Sequence, residues 1–212
     1  MSRNSSSGAK LIRSVGSTAA GGFAEEASRV FGTLALALLS DPTEDSLSAL
    51  RDCNSTPIPG RFGHAMTELA RAAASTELLV ARVEYTRLFH HPQGATCPPW
   101  ECVARDRAPH LMGPRHLDVV GFFRRAGIEP RRGDSESADH IGLELAFLSL
   151  LASRIAAGDD QCALFDEFWS SHVAPWMPAF ARRLASESRL DLYVASGRLL
   201  LEAVTMGARS RD

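Results

Sequence analysis

The chain is poor in most features that announce a function by pattern. It has a single lysine, Lys10, and a formal net charge of −2 over 212 residues, so no bulk positive field exists to collect nucleic acid. Its four cysteines, at 53, 97, 102 and 162, are too few and too scattered for a disulfide framework, which points to a reducing compartment. No apolar run approaches the roughly 20 residues that a membrane-spanning helix needs. The longest, Thr33 to Leu39, follows the acidic pair Glu25 and Glu26. No basic stretch leads into an apolar one near the N-terminus, so no export signal is expected and the expected location is the cytoplasm. Gly-rich phosphate loops, a G-x-S-x-G elbow and H-E-x-x-H are all missing, as is the alternation that marks strands.

What the chain does have is apolar content at helical spacing. Hydrophobic residues make up 45% of it and charged ones 23%, which excludes a disordered protein and supports a substantial core. Residues 1–22, rich in Ser, Gly, Ala and Thr, read as a flexible tail. Val30, Phe31, Leu34 and Leu38 then recur with a helical period, and so do Phe62, Met66, Leu69 and Ala73. A further stripe runs through Leu79, Val83 and Leu88, and residues 92–114, with five prolines, read as an irregular surface loop. Val119, Phe122 and Phe123 form a short helix with Gly127 as its C-terminal stop. Ile141 to Ile155 is apolar nearly all round, as a helix central to a core would be. The last pattern runs from Leu190 to Val204 and ends at Gly207.

The expected architecture is therefore all-α, with six to nine helices in one bundle-like domain. Two subdomains, 23–128 and 139–212, are joined by a hinge at 129–138 in this reading.

Three groups of residues carry possible chemistry. Cys97-Pro98-Pro99-Trp100-Glu101-Cys102 sets an aromatic beside two prolines, a rigid platform suited to peptide recognition, with Glu101 placed to answer a cation. Trp100 equally suits a plug that fixes the loop to the helices. Asp139-His140 lies one turn ahead of Glu144, so imidazole and carboxylate share a helix face, and Asp139 also suits an N-cap. Together these three allow a hydrolase reading. The third group, His90, His91, Cys97, Cys102, His110 and His116, holds soft and imidazole donors for a small helical metal-binding protein, although the Cys-x4-Cys spacing is not a tight knuckle. His172, Trp176, Met177 and Phe180 form an aromatic corner in which His172 reads as a hydrogen-bonded core histidine.

Glu84-Tyr85-Thr86-Arg87-Leu88-Phe89 followed by Pro98-Pro99-Trp100-Glu101 resembles the signature of the TorD/DmsD/NarJ family of dedicated cytoplasmic chaperones for molybdenum enzymes. Asp139-His140 opening a long apolar helix resembles its second block, and Phe168 through His172, Trp176 and Phe180 its closing helices. The order is kept over residues 25–206 and is most similar to the branch serving the type II dimethyl sulfoxide reductase group. Cys102 stands where the family usually has serine, and Ala138 where proline often precedes Asp-His.

The resemblance implies a non-catalytic protein that binds the apo-form of a molybdenum-containing catalytic subunit and its twin-arginine leader before export. It implies a client-binding set of Tyr85, Leu88, Phe89, Pro98, Pro99, Trp100, Glu101, Asp139, His140 and Glu144. The apolar members would receive the leader's helix-forming stretch, and Glu101, Asp139 and Glu144 its guanidinium groups. No tightly held cofactor or metal is expected. A homodimer is left open.

Overall fold

The computed structural model describes residues 17–90, 94–129 and 136–209. Most of the expected tail, 1–16, and the middle of the expected hinge, 130–135, lie outside the described residues, as does His91. Ten α-helices are present among the described residues: α1 Ser17–Leu38, α2 Glu44–Arg51, α3 Gly60–Ala74, α4 Leu78–Tyr85, α5 Glu101–Arg105, α6 Pro114–Arg125, α7 Ile141–Ala156, α8 Cys162–Phe168, α9 Met177–Glu187 and α10 Asp191–Arg209. Two π-helical turns, Thr86–His90 and Trp169–Val173, extend α4 and α8. The described residues contain no strand, only an isolated antiparallel bridge between Trp100 and His140. The architecture is all-α.

The long helices form where the apolar period is clearest. α1 buries Val30, Phe31, Leu34 and Leu38 and lies along α7, the central helix. α10 packs against α9, α3 and α1, and α2 against α3. One cluster of buried side chains runs from Ala27 to Val204, continuous across the connector. Local chemistry sets several ends. Thr43 and Ser46 exchange bonds in a capping box at the start of α2. Gly127 takes φ of +75° just beyond α6, a conformation that costs a side chain with Cβ.

Several expectations need correction. Ten helices lie among the described residues rather than six to nine, because α2 and α5 are too short to show a period. α1 starts at Ser17, inside the expected tail, since extending an existing helix through Thr18-Ala19-Ala20 is easier than starting one. The stretch 92–114 is not simply a surface loop: it contains α5, and Cys97, Pro99, Glu101 and Cys102 are buried. α10 continues past Gly207 to Arg209. Finally, Leu79 and Val83 face solvent, 73% and 63% exposed. α4 buries Ala81, Glu84 and Tyr85 instead, because the Tyr193 hydroxyl donates to the Ala81 carbonyl and Tyr85 packs on Phe89 and Tyr193.

Candidate functional site

The platform segment and the Asp-His segment are neighbours, joined edge to edge. Glu101 N–H donates to the Asp139 carbonyl at 2.9 Å, and Ile141 N–H to the Pro99 carbonyl at 2.7 Å, which makes the Trp100–His140 bridge. Asp139 caps a helix, but not its own. Its Oδ2 accepts the Cys102 N–H of α5 at 2.9 Å, and its Oδ1 accepts the Ser137 hydroxyl. A five-residue helix after two prolines has little intrinsic stability, so this cap from a distant segment is what holds it.

His140 is the N-cap of α7. Its Nδ1 accepts the Gly142 N–H at 3.1 Å, so that nitrogen carries no proton. Burial lowers its pKa to about 4, against the pull of Glu136, which favours the charged form. The neutral ring is thus the form the fold requires. Trp100 is half-buried, donates from Nε1 to Glu136 at 2.7 Å, and packs edge-on against His90 and His140.

Glu101, Glu144 and His172 form a buried polar group beneath this junction, all at 0% exposure. His172 Nδ1 and Glu101 Oε2 share a hydrogen bond of 2.7 Å, and Glu101 Oε1 takes the Arg105 guanidinium. Trp176 Nε1 donates to Glu144 Oε2 at 3.2 Å, while Glu144 Oε1 has no hydrogen-bond partner. Burial raises the Glu144 carboxyl well above its ordinary range, and Glu101 adds to the effect.

The ten residues implied as a client-binding set fall into two kinds. Tyr85, Leu88, Phe89, Pro99, Glu101, Asp139, His140 and Glu144 are buried, so the first three turn inward and do not line an open groove. Glu101 is paired internally with Arg105 and His172 rather than turned outward to a leader's guanidinium group. Pro98 and Trp100 are partly exposed. Pro98 lines a cleft of about 320 Å³, whose walls also include Val103, Ala104, Trp176, Phe180 and Arg183, while Trp100 lies two residues along the chain and outside the lining. Sequence reasoning missed Val103, Ala104 and Arg183; only their helical spacing from recognised residues could have signalled them.

Glu84 and Arg87, named only as members of the first motif, turn out to form an ion pair. Burial pushes the Glu84 carboxyl up, but the Arg87 guanidinium and the Arg189 N–H outweigh it and hold the group below its usual range. The pair ties α4 to the turn before α10 through the Arg189 N–H, 2.6 Å from Glu84 Oε1.

The His/Cys-rich loop does not gather into a metal site among the described residues. His116 Nδ1 accepts the Ala138 N–H at 2.9 Å, and His90 lies against Tyr85 and Trp100. Burial pushes the Cys97 thiol up to about 11 and the Cys102 thiol up to about 12, so both are protonated at neutral pH.

Fold and junction define an all-helical protein in which two motifs distant in sequence are locked into one unit. A family model described as nitrate reductase delta subunit matches residues 56–182, a stretch that holds both motifs and more than half of the chain. The chain belongs to that family, the TorD/DmsD/NarJ group its motifs resemble. The chain is 24% identical over 143 residues to Chaperone protein TorD of Shewanella piezotolerans, covering 64% of each. With the TorD of Shewanella loihica it shares 26% over 94 residues, 44% of this chain and 42% of that one. The matches thus span less than two thirds of these relatives. A solved structure from Archaeoglobus fulgidus, provisionally assigned as a redox enzyme maturation protein, superposes with a TM-score of 0.58 at 22% identity, over 84% of this chain and 91% of that one. It shows the shared fold.

Proposed function

We propose that this protein is a non-catalytic cytoplasmic chaperone for the assembly of a molybdenum-containing oxidoreductase catalytic subunit. It binds the apo-form, and the twin-arginine leader where one is present, so that cofactor insertion precedes export. Family membership supports the class of function, and the TorD relatives carry the name of chaperone. The observation that carries the reading at the level of residues is the Trp100–His140 bridge, which fixes both motifs beside an apolar cleft. A large aromatic on a rigid edge loses little entropy when a partner helix covers it. In this reading Pro98, Trp100 and the cleft wall touch the client. Glu101, Asp139, His140 and Glu144 position them, and Tyr85, Leu88 and Phe89 support the edge from below. The connector 129–138 serves as a hinge between subdomains 23–128 and 139–212. The client belongs to the dimethyl sulfoxide reductase family, with the type II branch as the narrower assignment.

The test is a native mass spectrum of the protein affinity-purified from its own host grown anaerobically. A bound molybdenum-enzyme precursor with its leader attached is the expected result. Repeated recovery of the bare chain under conditions that induce such enzymes would overturn the reading. Trp100→Ala and Val103→Glu should both weaken capture of that precursor while the helical signal and a cooperative unfolding transition are retained. Unchanged capture by both folded variants would remove the Trp100 edge and the cleft wall as the binding surface.

A further inference from the structure

We propose that Glu101, Glu144 and His172 form a buried binding site for one divalent transition-metal ion of the zinc class. This departs from the sequence expectation of no metal, and it uses none of the loop cysteines that prompted the metal alternative. One ligand atom from each residue lies within 4.8 Å of the others. Two carboxylate oxygens and one imidazole nitrogen suit zinc, whose bonds to such atoms are about 2.0–2.2 Å long; a metal would part Glu101 Oε2 from His172 Nδ1, now 2.7 Å apart, while the wider gaps in the set close.

A group of acids alone would carry nothing; the outward-facing atoms of this one do. Glu101 and Glu144 each have their second oxygen held by a neighbour, while His172 Nε2, buried without a hydrogen bond, has only the carboxylate of Asp118 near it. Glu101 Oε1 is taken by Arg105, with Arg115 at 3.6 Å. Glu144 Oε2 accepts the Trp176 indole N–H at 3.2 Å, and His172 Nε2 faces Asp118 Oδ2 at 3.3 Å. A carboxylate behind a histidine is the arrangement that orients imidazole toward a metal and raises its basicity. Glu101 Oε2, Glu144 Oε1 and His172 Nδ1 are left for one another, and Glu144 Oε1 is fully buried with no hydrogen-bond partner.

An orphaned carboxylate oxygen in such a place costs free energy unless a cation or a proton meets it. Charge points the same way: four carboxyl groups, Glu101, Glu144, Asp106 and Asp118, stand against two guanidinium groups, Arg105 and Arg115, so the surroundings favour a cation. On binding, the proton shared between His172 and Glu101 is released to solvent, as is any proton held by Glu144.

The site shares Glu101 and Glu144 with the proposed positioning residues, but its test reads bound zinc rather than client capture, so the two readings fail separately. The experiment is equilibrium dialysis of the metal-stripped full chain against zinc chloride, with zinc counted by elemental mass spectrometry. Cobalt(II) substitution then reports the ligand type. The expected result is one zinc per chain and a cobalt spectrum without thiolate charge transfer. Glu144→Gln and His172→Gln should abolish stoichiometric binding, while Cys97→Ser and His110→Ala keep it. Asp118→Asn changes an exposed residue with little risk to folding, and should weaken affinity about tenfold. Absence of stoichiometric zinc in the wild type would overturn the site, leaving protons as what closes the group. Zinc retained in the Asp118 variant at unchanged affinity, but lost with Cys97→Ser, would overturn it in favour of the loop.

Discussion

The helix Ile141–Ala156 meets the rest of the protein in two different ways. Its body lies along α1 with a face that buries Leu145, Leu148, Leu151 and Ala152, and a polar link there joins Ser149 to Ser28. Its first turn and the two residues before it meet the platform segment through Asp139, His140 and Glu144, each buried with partners fixed by geometry. An apolar interface loses stability roughly in proportion to the volume removed from it. A buried polar junction fails when one atom loses its partner, whatever the volume. One helix therefore carries a tolerant interface and an intolerant one.

The sharpest break falls at Gly142, where the two meet. A Cβ there would lie 2.5 Å from Leu39 Cα and 2.9 Å from Leu39 N, and neither backbone atom can swing aside. Gly142→Ala is expected to cost about 3 kcal/mol or more, read as a shifted urea midpoint with unchanged slope. A loss under about 1 kcal/mol would show that α1 slides freely and that the interfaces are not rigidly coupled.

Acid should break the polar junction and spare the apolar one. The unfolded imidazole of His140 takes its proton near pH 6.5 and the folded one only near about 4, so the unfolded state binds more protons in between. Stability from this residue is complete above pH 6.5 and is lost as pH falls toward 4, on the order of 3 kcal/mol in full. The physical event is loss of the Nδ1 acceptor that caps α7. His140→Asn keeps a capping oxygen and cannot titrate, so it should flatten that part of the acid slope. Equal slopes for the two proteins between pH 6.5 and 4 would assign the acid sensitivity elsewhere.

Asp139→Ala tests the junction at neutral pH. It strips the cap from α5 and leaves the buried Cys102 N–H unpaired, at an expected cost of about 2 kcal/mol. Asp139→Asn should recover part of the loss, and hydrogen exchange at Cys102 should rank wild type, Asn and Ala in that order. Protection unchanged in the Ala variant would mean that α5 is held by packing alone.

The tolerant interface was readable from sequence and the intolerant one only half so. Val30, Phe31, Leu34 and Leu38, like Leu145 and Leu148, announce helices because burial on one face imposes a local period. The motif residues were legible as a set, and the structure does bring Pro98–Glu101 against Asp139–Glu144. Their orientation was not legible. Charged residues are normally expected outside, and what buries Glu101 is a partnership with Arg105, Arg115 and His172, two of them far along the chain. α5 was invisible for the same reason: Pro98-Pro99 reads as loop, and the aspartate that caps the helix comes 37 positions after Cys102.

The smallest expected effect belongs to the one apolar stripe that the period placed wrongly. Both Leu79/Val83 and Ala81/Tyr85 fit a helical repeat, and aliphatic size favours the first pair. The fold chose the second, because the Tyr193 hydroxyl reaches the Ala81 carbonyl at 3.2 Å and Arg82 reaches the Pro42 carbonyl at 2.8 Å, which fixes the rotation of α4. If that rotation is correct, Leu79→Ser and Val83→Thr remove side chains already in water, and each should change unfolding free energy by less than about 0.5 kcal/mol. Ala81→Leu, on the opposite face, adds volume where none is free and should cost about 1–3 kcal/mol. The reverse ranking would mean that α4 turns its aliphatic face inward, and with it would go the burial of Glu84 and the anchoring of the turn before α10.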